Sequence, residues 1–288
     1  YSGKLENHAQ YRNYFPGVHL KYELPAGFLA RASFSEGIGR PNFGSIMPNS
    51  NVSFSAETIT ISNPGLKPQQ SKNYDVSLEY YFEPVGLCSI GAFKKDISDF
   101  IFQDSSQIVG TGANNGFDGQ YAGYTIITSA NGGFAKYRGI EASYQQQFTF
   151  LPGCWKGFGL NANYTYLKTE GDYGTRTVTS DLAGFVPRIF NLALSYRGKR
   201  ASVVLQRNWT SKYLTTTSTN AALFRYQAAR EVFDVKTKYT LTRRVSLFCD
   251  VENIFAEPLN QSYFVFERRP YLTRLTVPKV VAGLQGRF

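Results

Sequence analysis

Two segments of the sequence combine aromatic rings with arginines, a pairing that can bind anions and flat organic groups. The first, near 256–273, contains Tyr263, Phe264, Phe266, Arg268, Arg269 and Tyr271, and the second, near 213–229, contains Phe224, Arg225 and Tyr226, with Arg230 just beyond it. A guanidinium offers a fixed fork of donors for carboxylate or phosphate, and rings stack on ligands or cations. One interpretation is a binding mouth that uses Tyr263, Phe266, Arg268, Arg269, Tyr271, Arg225 and Tyr226. The other is an interfacial aromatic girdle with solvated cations.

Catalytic and metal-binding patterns are weak in this sequence. His8 and His19 are its only histidines, and no serine stands in a G-x-S-x-G setting, so we expect no enzyme. Cys88, Cys154 and Cys249 have no C-x-x-C spacing and no histidine neighbour, so we expect neither a metal nor another cofactor. Cys88 and Cys154 fall near turns of neighbouring predicted hairpins, and a disulfide between them stays open.

Composition favours an all-β chain. Aromatic residues make up 16% of it, with 20 Tyr and 23 Phe, and charged residues make up 18%. No apolar stretch approaches the ~18 residues that indicate a spanning helix. The net charge of +10 comes from Lys and Arg scattered along the chain, so we expect no nucleic-acid partner.

Alternation of apolar and polar residues is the main structural signal. In 277–288, Pro278, Val280, Ala282, Leu284, Gly286 and Phe288 alternate with Lys279, Val281, Gly283, Gln285 and Arg287. A strand's two-residue period places these sets on opposite sides of a sheet. Similar alternation recurs at 18–24, 73–82, 160–166, 233–239 and 245–252. It predicts that Val235, Tyr239, Leu247, Val251, Val280, Ala282 and Leu284 share a lipid-facing side.

Strand length and loop asymmetry separate a membrane barrel from a soluble sheet. Many alternating segments reach 12 or more residues, whereas soluble strands average about 5–6. Short turns are predicted at 83–86, 151–153, 197–200 and 241–244, and long loops near 38–68, 103–121, 170–184, 213–229 and 256–273. Outer-membrane barrels keep short turns on the periplasmic side and long loops outside. The pattern therefore predicts an antiparallel up-and-down transmembrane β-barrel segment.

About eleven strands are predicted. They lie near 11–24, 27–37, 69–83, 86–102, 123–149, 157–169, 185–197, 200–213, 229–241, 244–255 and 274–288. The fifth is long, and Gly132 and Gly133 predict a bend or bulge within it. An odd number of strands cannot close such a barrel when both termini lie on one side, so we expect a segment of a larger barrel. The polar start does not look like a secretion signal, so we expect the natural N-terminus to lie upstream.

Several ordered motifs resemble those of TonB-dependent receptors. They are Ile38–Phe43, Ile61–Pro68, Asn73–Asp75, Tyr80–Pro84, Gly91–Ile97, Gly139–Tyr144 and Val251–Phe255. Phe288, at the end of an alternating strand, resembles the signal that the barrel assembly machinery recognises. The resemblance spans nearly the whole chain, and its specificity comes from the order of motifs that are individually loose.

The resemblance implies a 22-stranded barrel with a plugged lumen, of which residues 1–288 would form the C-terminal half. The family's plug domain and TonB box match nothing in these residues. The implied partners are that N-terminal plug, the remaining barrel strands, the TonB complex, outer-membrane lipid and lipopolysaccharide.

The implied function is TonB-energised uptake of a nutrient across the outer membrane of a Gram-negative bacterium, with ferric siderophore, cobalamin and oligosaccharide all open as substrates. The alternatives are a passive porin and a surface-recognition, adhesive barrel. An upstream plug domain in the full gene would favour the transporter over both.

Overall fold

The computed structural model describes residues 12–172, 178–179, 181–217, 221–265 and 269–286. Within these residues the chain forms twenty strands and four short helical turns. The strands are β1 (Gly17–Glu23), β2 (Phe28–Gly39), β3 (Ser50–Ser53), β4 (Thr58–Ile61), β5 (Gln69–Phe82), β6 (Gly86–Ser98), β7 (Ile101–Ile108), β8 (Thr125–Asn131), β9 (Phe134–Gln147), β10 (Phe158–Asp172), β11 (Val178–Thr179), β12 (Arg188–Arg197), β13 (Ala201–Thr210), β14 (Tyr213–Thr216), β15 (Arg225–Gln227), β16 (Arg230–Thr240), β17 (Val245–Glu252), β18 (Asn260–Phe264), β19 (Pro270–Arg274) and β20 (Lys279–Gly286). The turns are 3-10 helices at Pro25–Gly27, Gly153–Gly157 and Ala221–Leu223 and an α-helical turn at Phe43–Ile46.

Eleven strands form one antiparallel sheet, the main sheet, in the order β1-β2-β5-β6-β9-β10-β12-β13-β16-β17-β20, with β11 paired to β10. The prediction of an all-β antiparallel barrel segment of about eleven strands is confirmed. None of the described helices is long and apolar enough to cross a membrane.

The pairing register sorts side chains onto two faces of the main sheet. Leu247 pairs with Leu284 and Val251 with Val280, whereas Glu252 pairs with Lys279. We call one side the apolar face; its members include Val76, Leu78, Ile90, Ile140, Leu194, Leu205, Leu247 and Leu284. We call the other side the polar face; its members include Arg31, Asp75, Glu79, Asn163, Asp234, Lys236, Lys238 and Glu252. The predicted separation of Leu284 from Lys279 is confirmed, because adjacent pairs in one ladder alternate between faces.

Charges on the polar face bind one another across strands. Arg31 on β2 donates to the Glu79 carboxylate on β5 at 2.9 Å, and the Tyr81 hydroxyl donates to Glu79 at 2.7 Å. At the other end of the sheet, Lys279 lies 3.3 Å from Glu252. These pairs neutralise part of the charge but leave a polar, hydrogen-bonding surface along the whole sheet.

Aromatic rings border the apolar face at both ends of β5. Near the short turns, Tyr80 stacks on Phe28 with ring centroids 4.4 Å apart and on Phe82 at 5.3 Å. Toward the long loops, Tyr74 packs on Phe34 at 5.1 Å. Two aromatic bands around an apolar belt are typical of a transmembrane β-barrel.

The predicted fifth strand, 123–149, is wrong as a single element. The structure divides it into β8 and β9, which enter different sheets and are separated by Gly132 and Gly133. A Cβ at Gly132 would lie 2.7 Å from the Asp172 carbonyl oxygen, so only glycine permits this close crossing. The strand predicted over 86–102 also divides, because β6 ends at Ser98 and β7 begins at Ile101.

Other predicted bounds shift by a few residues. Among the described residues, the first strand begins at Gly17 and the last at Lys279. The turn predicted at 151–153 is a longer connection, 148–157, which contains a 3-10 helix.

Cys88, Cys154 and Cys249 are free thiols, so the bond left open between Cys88 and Cys154 does not form. Cys88 lies on β6 opposite Tyr144 of β9, and Cys154 lies in the turn beyond β9. The intervening strand β9 explains why the two thiols do not bond.

We expect a lysine to be tolerated on one face of β5 and not on the other. Val76→Lys places a charge in the middle of the apolar face and should cost about 2–4 kcal/mol of folding free energy in lipid. Ser77→Lys, one residue along, lies on the polar face between Asp75 and Glu79 and should cost far less. Urea titration of the intact receptor in lipid vesicles, followed by heat-modifiable gel mobility, measures the folding free energy of each variant. Equal costs for the two variants would contradict the assignment of faces.

Candidate ligand-binding site

The long connections form two small sheets at one end of the main sheet. The first loop sheet has the order β3-β4-β8-β7 and the second loop sheet β14-β15-β18-β19. β14 and β15 come from the connection between β13 and β16, and β18 and β19 come from that between β17 and β20. The two aromatic and basic segments singled out in the sequence therefore join in one structure.

Tyr226 and Tyr263 lie side by side at the centre of the second loop sheet. They are direct partners in the β15–β18 ladder, and their rings stack with centroids 6.3 Å apart. The Lys212 ammonium lies 4.9 Å from the Tyr226 ring and 5.2 Å from that of Tyr263, a cation–π arrangement. Tyr263 is only 7% exposed, so its ring holds the two loops together and Tyr226 is the more open partner.

A second cation–ring pair involves Arg225. Its guanidinium lies 4.6 Å from the Tyr271 ring, which meets Phe264 edge-on at 5.7 Å. The Arg269 carbonyl accepts a hydrogen bond from the Phe264 amide at 3.1 Å, and residue Arg269 is exposed. Phe266 and Arg268, also predicted for the site, lie outside the described residues, as does the predicted assembly signal Phe288.

A cavity of about 260 Å³, which we call the loop cavity, opens between the second loop sheet and the ends of β10, β12 and β13. Its lining residues are Leu167, Thr169, Asp181, Leu182, Phe185, Pro187, Arg188, Ser211, Lys212, Tyr213, Leu214 and Tyr226. Rings and cations therefore share its wall with a single carboxylate, a composition suited to an anionic organic ligand.

The segment 181–185 fixes the floor of the loop cavity. The Leu182 amide donates to the Thr169 hydroxyl at 2.9 Å, and the Leu182 side chain is 1% exposed. Phe185 packs on Tyr137 of β9, with ring centroids 4.6 Å apart. This buried contact places a loop segment firmly on the polar-face side of the barrel wall.

Sequence reasoning missed two features of this end of the molecule. Lys212 lies only one residue before β14, but its contact with both tyrosines depends on pairing between distant loops. The first loop sheet carries an aromatic cluster around Tyr121. The centroid of the Tyr121 ring lies 6.2 Å from that of Phe54, 6.1 Å from that of Phe117 and 5.5 Å from that of Tyr124. Phe54 is 70% exposed, so this cluster also presents a ring to the surroundings.

No group of three or more His, Cys, Asp or Glu side chains in the described part of the chain is placed to hold a metal ion. The candidate site consists of rings, cations and hydrogen-bonding groups.

The family model described as "TonB dependent receptor-like, beta-barrel" matches residues 2–254. The chain belongs to this family. It is a family of transport receptors of the bacterial outer membrane. No curated protein matches the chain by sequence.

Solved structures of similar fold include three receptors or transporters. A mutant of the ferric enterobactin receptor PfeA from Pseudomonas aeruginosa, in complex with enterobactin, is 17% identical with a TM-score of 0.67, over 95% of this chain and 40% of that one. The siderophore receptor PirA from Acinetobacter baumannii is 16% identical with a TM-score of 0.66, over 96% and 41%. The copper transporter OprC is 16% identical with a TM-score of 0.65, over 95% and 39%. The chain thus spans about two fifths of the length of each of these structures and shares their fold.

We expect Tyr263 to hold the second loop sheet together. Tyr263→Ala removes a buried ring, a loss of about 3 kcal/mol that raises the open fraction of the loops roughly a hundredfold. Limited trypsin digestion should then cleave faster at the arginines of β15 and β19, with the barrel unaffected on heat-modifiable gels. Tyr271→Ala is the matched control, because Tyr271 is 52% exposed. Identical digestion of the two variants and the wild type would show that the tyrosine pair does not hold the loops.

Proposed function

We propose that this chain is part of an outer-membrane receptor of a Gram-negative bacterium that takes up a nutrient by TonB-energised active transport. The observation that carries the proposal is an eleven-stranded antiparallel sheet with one apolar and one charged face, in a chain that belongs to the TonB-dependent receptor-like family. The apolar face contacts lipid, and the loop sheets lie outside the cell, where a nutrient first arrives.

The polar face supports the proposal that a plug fills the lumen. A shallow depression of about 300 Å³ on this face is lined in part by Lys21, Arg31, Asp75 and Glu141. Lys21 and Arg31 are already paired with Glu23 and Glu79. The carboxylates of Glu141 and Asp75 retain acceptor capacity, which suits a polar folded plug that would bind them by hydrogen bonds and ion pairs. TonB would act through that plug.

The sheet edges support the presence of further barrel strands. β1 and β20 are the two edges of the main sheet in the described residues. An unpaired strand edge inside a bilayer would leave amide and carbonyl groups without partners, which costs several kcal/mol for each group. We propose that residues 1–288 supply the C-terminal half of a 22-stranded barrel and that the remaining strands pair with these edges.

The ligand is proposed to be an anionic metal chelate with aromatic groups, a ferric siderophore of the catecholate type. Lys212 supplies positive charge beside the Tyr226 ring in the loop cavity, and Arg225 supplies it beside the Tyr271 ring on the other face of the second loop sheet. Such a ligand satisfies both chemistries at once, whereas a neutral oligosaccharide uses only the rings. One structural neighbour is named as a ferric enterobactin receptor and another as a siderophore receptor, in agreement with this choice.

We expect Arg225→Ala combined with Arg269→Ala to weaken binding of a ferric catecholate by roughly tenfold or more, since charge-assisted contacts contribute about 1.5–3 kcal/mol each. Arg243→Ala combined with Arg244→Ala removes the same charge at a short turn on the opposite end and should leave affinity unchanged. Quenching of the intrinsic fluorescence of the purified receptor by ferric enterobactin gives the dissociation constant of each double variant. Equal affinity in a well-folded double variant at 225 and 269 would remove these arginines from the site.

Transport itself is tested by uptake of radiolabelled ferric enterobactin into cells that express the intact receptor, with and without functional TonB. Uptake that requires TonB supports active transport. Uptake that persists without TonB and rises linearly with concentration would instead support a passive porin. Surface binding without uptake would support a recognition barrel.

A further inference from the structure

The polar face of the main sheet carries an apolar patch close to the long loops. Ile97 of β6 pairs with Ala135 of β9, which pairs in turn with Gly171 of β10. Tyr137 lies two residues along β9, on the same face. All four residues are buried, and Leu182 forms an apolar cluster with Ile97, Ala135 and Tyr137. A face that otherwise presents charges and amides therefore holds a leucine from one of the long connections.

We call residues 181–185 the anchor segment, because two contacts fix it to β10. A Cβ atom at Gly171 would lie 2.7 Å from Leu182 Cδ2, so Leu182 rests directly on the backbone of this strand. The hydroxyl of Thr169, a buried residue, accepts the hydrogen bond of the Leu182 amide. Since a buried amide without a partner is destabilising, Thr169 and Gly171 together allow an apolar loop segment to lie against the wall.

The anchor segment also binds the second loop sheet. The Gly184 amide donates to the Leu214 carbonyl of β14 at 2.8 Å. Leu214 is buried and pairs with Tyr226 of β15, which lines the loop cavity. Lys212, whose ammonium lies over the Tyr226 ring, precedes Leu214 by two residues. A continuous series of contacts therefore runs from the barrel wall to the ring and the cation of the candidate site.

The second loop sheet needs a support of this kind. Its strands β14, β15, β18 and β19 have only 4, 3, 5 and 5 residues, and small sheets of short strands have little stability of their own. A ligand that must first order its site binds more weakly, because the apparent dissociation constant rises as the binding-ready fraction of the receptor falls. Groups that hold Tyr226 and Lys212 in place before the ligand arrives therefore raise the affinity.

We propose that Thr169 and Leu182 are positioning residues of the ligand site, which act through the anchor segment to hold the second loop sheet over the loop cavity. This rests on the ligand site of the proposed function. It means that the affinity for the ligand is set in part by residues at the wall that carry neither a cation nor an aromatic ring.

Limited trypsin digestion of the intact receptor without ligand tests the anchor segment itself. Thr169→Val leaves the Leu182 amide without its acceptor, so cleavage after Lys212 and Arg225 should be roughly tenfold faster. Leu182→Ala, which empties the apolar patch, should have the same effect. Thr169→Ser keeps the acceptor and should be digested like the wild type. Lys168→Ala is the matched control, because Lys168 is the preceding residue of β10 and lies on the opposite face.

Affinity and uptake show whether the role is one of positioning. Fluorescence quenching by ferric enterobactin should give a dissociation constant roughly tenfold higher in Thr169→Val and in Leu182→Ala. Saturating ferric enterobactin should return their digestion to the wild-type rate, because the ligand stabilises the closed loops. In uptake, the half-saturating concentration should rise while the maximal rate per folded receptor stays unchanged. Heat-modifiable mobility gives the folded amount of each variant.

The proposal would be overturned by wild-type digestion rates in the folded Thr169→Val and Leu182→Ala variants, or by a Thr169→Ser variant that behaves like Thr169→Val. Faster digestion with unchanged affinity would show that the anchor segment does not position the ligand site. Weaker binding without faster digestion would indicate that Thr169 contacts the ligand directly, and would also overturn it. A wild-type receptor that binds no ferric enterobactin would contradict the ligand proposed above, whereas faster digestion of Thr169→Val would still support the positioning of the loop cavity.

Discussion

The need to pair every backbone amide inside an apolar medium governs the rest of this structure. Lipid offers no hydrogen bonds, so strands that cross it must pair along their whole length. β5, β6, β9 and β10 accordingly run 13–15 residues and pair continuously with their neighbours. Continuous pairing fixes the register of each strand and therefore the side to which every side chain points. A slip of one residue would move Asp75 and Glu79 into lipid and Val76 into the lumen.

The loop sheets need less continuous strand pairing, because side chains can also bind their backbone amides and carbonyls. Asparagine side chains provide several of these hydrogen bonds. Asn131 accepts from the Lys67 amide at 2.8 Å and donates to the carbonyls of Lys67 and Asp99, and it thereby joins three chain segments where β8 ends. Asn253 similarly donates to the Glu257 carbonyl and accepts from the Glu257 amide, each at 2.9 Å, just after β17. Such local bonds allow short strands, sharp turns and varied loops above a rigid wall.

This difference explains what the sequence could predict. The main sheet was predictable because each strand repeats the same alternation and pairs with the next long strand along the chain. The loop sheets were not, because their ladders join residues far apart in sequence, such as Ile59 with Ile126 in a parallel pair. The site was predictable only as two separate segments. That Tyr226 stacks on Tyr263, or that Lys212 lies over both, depends on the β15–β18 ladder, which no local pattern encodes.

The alternation of faces also explains how one strand of the barrel wall can present different chemistry to its two sides. Lys168 and Thr169 are consecutive on β10, yet Lys168 lies on the apolar-face side beside Arg138 of β9, and the Thr169 hydroxyl accepts from the Leu182 amide under the loop cavity. Their side chains point to opposite sides of a continuously paired strand, so a charge lost at Lys168 leaves the Thr169 contact in place. Coupling between the two would require a shift of β10 itself, which the ladders to β9 and β12 oppose along most of its length. A substitution on one side of the wall can therefore leave the contacts on the other side unchanged, one residue apart.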